Sequence, residues 1–114
     1  RSTWKQGVKM HYVYVLDLLS YGPKPRAKVG IAKNVKKRVA AQFYCYGGLV
    51  GHLVGFFCFP DKSSAFGAEL ATIDHFPHSR TVAGRPREVF DIAAENVVSF
   101  IKDNHPSIDF VRVG

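Results

Sequence analysis

The chain has 114 residues, 46% of them hydrophobic and 22% charged, a balance that suits one small folded domain and excludes both a second domain and a disordered tail. Its net charge of +7 favours an anionic partner, nucleic acid first and an anionic membrane surface second. No apolar run approaches the roughly 18 residues a membrane span needs; the longest, Leu49 to Phe59, is broken by Gly51, His52 and Gly55.

Residues 1–10 read as a basic lead-in without the apolar core of a signal peptide, with Arg1-Ser2 open to being a cloning remnant and Met10 to being a native start. His11 to Leu18 is rich in β-branched and aromatic residues and predicts a strand. Gly22, Pro23 and Pro25 make Ser20 to Arg26 a turn, and Ala27 to Ile31 a second strand closing a hairpin. Asn34 can cap a helix from about Val35 to Gln42, with Val35 and Val39 inward, Lys33, Lys36 and Lys37 pointing away, and Arg38 beside the apolar stripe. Gly47-Gly48 breaks the chain before a third strand, Leu49 to Phe59, bent at its glycines. Ser63 or Ser64 can cap a second helix from about Ala65 to Phe76, with Phe66, Leu70, Ile73 and Phe76 at helical spacing. Pro77 ends it. After a polar loop, Glu88 to Ile92 reads as extended, Ala93 to Asn104 as a third helix with Val97, Val98 and Ile101 inward, and Ile108 to Val113 as a terminal strand. The sum is an α+β chain.

The basic residues are not dispersed. Residues 1–42 carry ten against the single acid Asp17, a net +9, whereas residues 43–114 carry six against eight acids. Solubilising charge alone would not collect in one third of a chain. Cys45 and Cys58 lack metal-site spacing and lie among aromatics, which predicts buried thiols and a reducing, intracellular setting. His75 and His78 flank a proline without a third ligand, which argues against zinc.

Tyr12-Val13-Tyr14, then Lys28-Val29-Gly30, then Ala32-Lys33-Asn34-Val35-Lys36-Lys37-Arg38 resemble the N-terminal half of a GIY-YIG nuclease domain. Gly30, Asn34 and Arg38 stand at the offsets that family uses for its glycine motif, capping Asn and helix arginine. Glu69, Phe76, Arg80, Gly84 and Glu88-Val89-Phe90 extend the likeness toward the phage and restriction-enzyme branch, where a lysine such as Lys28 is a familiar replacement for the first tyrosine of the second motif. The match covers roughly residues 11–100. It departs at Tyr12, where the family has Gly, and at Ile73, where a histidine often follows the helix glutamate.

The resemblance implies a single domain over residues 11–114, with a small central antiparallel sheet of three or more strands flanked by about three helices. It implies a DNA endonuclease using one divalent metal, Mg²⁺ with Mn²⁺ as a substitute. Glu69 is then the metal ligand, since Mg²⁺ keeps most of its waters and needs only one or two protein ligands. Arg38 grips the scissile phosphate with its planar fork, and Tyr14 orients or deprotonates the attacking water. A tyrosine with a pKa near ~10 is a poor base; Lys28 either favours its phenolate or itself holds the water or phosphate. Tyr12 shares a strand face with Tyr14 and is the backup, and Glu88 is the rival metal ligand or a partner of Arg80 or Arg87. Lys24, Arg26, Lys33, Lys36, Lys37, Arg80, Arg85 and Arg87 are the candidate nucleic-acid contacts.

Phosphate contacts bind without reading sequence, so weak specificity for double-stranded DNA is expected, with no membrane partner and a homo-oligomer left open. The setting expected is bacterial cytoplasm, or host cytoplasm if the gene is a phage's. Two other readings compete. A DNA-binding module with the same fold and no catalysis is kept open by the altered motifs. A membrane-surface or RNA-binding protein is disfavoured because the basic residues sit on a hairpin and a short helix and not on one amphipathic stripe.

Overall fold

The computed structural model describes residues 10–18, 25–45, 51–76 and 89–113, the side chains of 41–45 excepted. Among these residues the architecture is α+β. Strands β1 (His11–Asp17), β2 (Ala27–Ala32), β3 (His52–Phe59), β4 (Val89–Phe90) and β5 (Asp109–Arg112) form one antiparallel sheet in the order β4-β2-β1-β3-β5. Helices α1 (Val35–Cys45), α2 (Lys62–His75) and α3 (Ala94–Asn104) complete it. None of them is long and apolar enough to cross a membrane.

The strand pleat sends alternate residues to opposite faces, and both faces are covered. Tyr14, Leu16 and Leu18 of the β1 segment cluster with Ala32, Val89 and, from α1, Val35 and Val39. Val13 and Val15 join the larger core on the other side, with Phe57, Phe59 and Phe90, Ala65 and Ala68 of α2, and Val97, Val98 and Ile101 of α3. Central β1 is accordingly apolar on both faces, with Val13, Tyr14, Val15 and Leu16 all buried. Each such side chain contributes about 1.5–3 kcal/mol on burial. The bend expected at the β3 glycines is a register shift of β3 against β1 between Val15, opposite Gly55, and Leu16, opposite Leu53. That one-residue bulge turns Leu53 and Phe56 toward the α1 face while Phe57 faces the main core.

The helices confirm some local signals and correct others. The Asn34 side chain accepts the Lys37 N–H at 3.1 Å, capping α1 as expected. Helix α2 begins earlier than expected: its cap is Asp61, whose carboxylate accepts the Ser64 N–H at 2.7 Å, and not Ser63 or Ser64. A carboxylate at this position also meets the positive end of the helix dipole. The face α2 buries is Ala65, Ala68, Glu69, Thr72 and Ile73. Phe66, read as part of an apolar stripe with Leu70, Ile73 and Phe76, is 49% exposed. The small side chains of Ala65 and Ala68 are the ones α2 buries in the core, and the Phe66 ring is left outside it. Residues 46–50 and 77–88, which include the Gly47-Gly48 break, the Pro77 stop, Arg80, Arg85, Arg87 and Glu88, lie outside the described residues, as does Lys24.

Candidate active site

A cleft of about 670 Å³ opens where β1 begins and β2 ends. Three elements meet there. Tyr14 comes from β1, Arg38 from α1 and Glu69 from α2, and all three line the same cleft. They are 55 positions apart from first to last in the chain, so the sheet and its two helices are what gather them. Lys33 and Lys37 line the cleft beside Arg38. All three cations are exposed, as binding to a polyanion from solvent requires. The Asn34 cap holds this segment by starting α1 immediately after β2.

Tyr14 is 1% exposed, and its position has a definite cause. Its strand partner across the ladder is Gly30. A Cβ at residue 30 would overlap the Tyr14 hydroxyl and ring, so the phenol lies over bare backbone at a close approach only glycine permits. Lys28 stands two residues earlier on the same strand face. Its Nζ is 5.6 Å from the centroid of the Tyr14 ring and donates to the Val29 carbonyl at 3.3 Å. Lys28 is 2% exposed and is not part of the cleft wall.

Glu69 is 8% exposed, an unusual position for a carboxylate on an amphipathic helix. Among the described residues no group of three or more His, Cys, Asp and Glu could hold a metal. Glu69 is the one carboxylate among the described residues lining the cleft, and a hard ion that retains its water, such as Mg²⁺, needs only one or two protein ligands. His75 has other company, stacking on Phe100 at 4.2 Å.

No family model matches this chain, and no curated protein or solved structure matches it either.

The remaining expected contacts divide. Lys36 is exposed on α1 outside the cleft wall. Arg26 is placed differently: it is 8% exposed and its Nε donates to the Asp91 carboxylate at 3.0 Å. That ion pair ties the start of β2 to the chain just after β4, so Arg26 serves the sheet and offers no free surface to a phosphate. Tyr12 packs edge-on against Phe56, with ring centroids 5.4 Å apart, and lies off the cleft.

Three cleft side chains were given no site role in the sequence: His11, Lys62 and Phe66, the last read as part of the apolar stripe of its helix. His11 looked like an ordinary strand start and is 6% exposed. Lys62 and Phe66 had a legible signal, because with Glu69 they stand at i, i+4 and i+7 of one helix. At the foot of that helix, the Ser64 backbone N–H and hydroxyl hold the Asp61 carboxyl below its ordinary value of 3.8, with His11 adding a smaller pull.

Proposed function

We propose that the protein is a metal-dependent DNA endonuclease of the GIY-YIG type, with weak sequence specificity. The observation that carries this reading is the convergence of Tyr14, Arg38 and Glu69 on one cleft walled by Lys33 and Lys37. Phosphodiester hydrolysis needs a positioned water, a charge sink for the pentacovalent transition state and a stabilised leaving oxygen. Arg38 supplies a planar fork to the equatorial phosphate oxygens. Lys33 and Lys37 hold flanking phosphates by charge alone. The Tyr14 side chain, set at the cleft wall by the Gly30 gap, orients the attacking water and, as the phenolate that a neighbouring cation favours, takes its proton and becomes the neutral phenol. Lys28, buried 5.6 Å from the ring centroid and off the cleft wall, acts as an electrostatic partner of the phenol, the first of its two expected roles.

Glu69 is the residue that would hold a divalent ion, Mg²⁺ or Mn²⁺. When bound, such an ion supplies Lewis acidity and charge neutralisation at the phosphate. The second reading, a DNA-binding module without catalysis, draws on one observation: Tyr14 is 99% covered, as a purely structural tyrosine would be.

Supercoiled plasmid separates the two. Nicking is expected with Mg²⁺, none with EDTA, and a loss of about 100-fold or more in Glu69→Ala and Arg38→Ala. Nicking that survives both substitutions sinks the catalytic assignment. Plasmid binding without nicking establishes the binding module.

A further inference from the structure

Phe66 is the feature of this cleft that phosphate binding does not explain. It is a large apolar ring, 49% exposed, on a helix that buries Ala65 and Ala68 on its inner side. The other large exposed hydrophobics among the described residues, Val111 and Val113, belong to β5 at the sheet edge and its end. Phe66 lines the cleft, with Lys62 one turn before it on α2 and Glu69 one turn after it. One stripe of the helix therefore presents a cation, an aromatic ring and a carboxylate in sequence.

We propose that Phe66 is a stacking platform for an unpaired nucleobase beside the phosphate held in the cleft, so that the preferred substrate is DNA carrying a base displaced from its stack. This rests on the reading of the same cleft as a DNA site. The choice of occupant follows from charge and shape together. Lys33, Lys37, Arg38 and Lys62 line the cleft around the ring, which suits a phosphate chain and disfavours an apolar partner surface. In an intact duplex the faces of the bases are covered by their neighbours. An exposed ring gains a partner only where a base has left the stack, as in a single strand, a loop or a lesion. Every base has such a face, so the contact selects for structure without selecting for sequence.

The test is fluorescence anisotropy with the full chain in EDTA at one fixed salt concentration. Three labelled DNAs serve as probes: a single strand, its fully paired duplex, and the same duplex with one base facing an abasic site. Phe66→Ala and Phe66→Leu are expected to weaken the first and third about tenfold and the paired duplex by less than about twofold. Phe66→Trp is expected to keep the affinity of the parent, which separates stacking from mere apolar contact. Equal losses on all three probes, or none, overturn the inference, while a uniform loss in Lys37→Ala leaves the DNA reading standing. If Lys37→Ala and Arg38→Ala change no affinity, the DNA reading itself fails and this inference with it. Light scattering that shows Phe66→Ala halving the solution mass would assign the ring to a contact between copies and also overturn it.

Discussion

Gly30 and Tyr14 form the smallest unit on which the site depends. The glycine is adjacent to the lysine and valine of its tripeptide in sequence, yet its physical purpose is cross-strand, because the Tyr14 phenol occupies the space a Cβ would take. Gly30→Ala is therefore expected to force the ring aside. Overpacking of this kind costs about 1–3 kcal/mol, read as a lower urea midpoint, and nicking should fall with the displaced hydroxyl. An unchanged midpoint would mean the ring has another place to go. Arg26 teaches the opposite lesson. Its charge made it a candidate phosphate contact, and a one-residue reading had no way to see Asp91, 65 positions away. Breaking the pair with Arg26→Ala should cost about 1–2 kcal/mol, below the ~3–5 kcal/mol of a fully buried pair, because the Asp91 side chain keeps 39% exposure.

At the scale of elements, α2 is the part that carries most of what the site adds to a bare hairpin. Its start is set by Asp61, and its register decides that Glu69 faces the cleft wall while Ile73 faces the core. Asp61→Asn should keep the cap and Asp61→Ala should lose it, lowering the melting temperature. The pH dependence has a definite sign. The Ser64 N–H depresses the Asp61 carboxyl in the folded state, so its contribution is present above the ordinary value of 3.8 and disappears as pH falls through the depressed one. The gap in melting temperature between the parent and Asp61→Ala should accordingly narrow in acid, and a gap that is constant down to pH 2 would discredit the cap. Helix α3 is held differently, with both Arg112 terminal nitrogens donating to the Glu95 carboxylate at 2.7 and 2.9 Å. Arg112 in turn draws the Glu95 carboxyl down, and this exposed pair orients the edge strand β5 more than it stabilises the fold.

For the whole molecule, the question is where the +7 acts. The excess in residues 1–42 is a property of the chain; among its described cations Lys33, Lys37 and Arg38 line the cleft, Lys36 is exposed off it, and Lys28 and Arg26 are buried. A phosphate contact contributes about 0.9 to the slope of log affinity against log salt. Lys37→Ala should reduce that slope by about 0.9, and Arg26→Ala should leave it unchanged despite removing the same formal charge. Equal effects from the two would place Arg26 at the DNA and undo the distinction.

Most of the elements were legible in the chain because their signals are local: alternating β-branched runs for β1 and β2, an Asn cap for α1, and a 3.6-residue apolar stripe for α3. Tyr14, Arg38 and Glu69 were singled out differently, by the resemblance of their surrounding tripeptides and helix segments to a nuclease motif, since each residue alone would read as an ordinary strand or helix side chain. The rest rests on contacts between distant segments. That Phe66 is exposed, that Arg26 pairs with Asp91, that Tyr14 needs Gly30 and that Lys28 is buried off the cleft wall all depend on how the helices seat against the sheet and which strand lies beside which. Helical spacing names a set of residues that share a stripe; that α2 buries Ala65 and Ala68 and leaves Phe66 exposed is decided by packing against distant segments, and no local pattern encodes it.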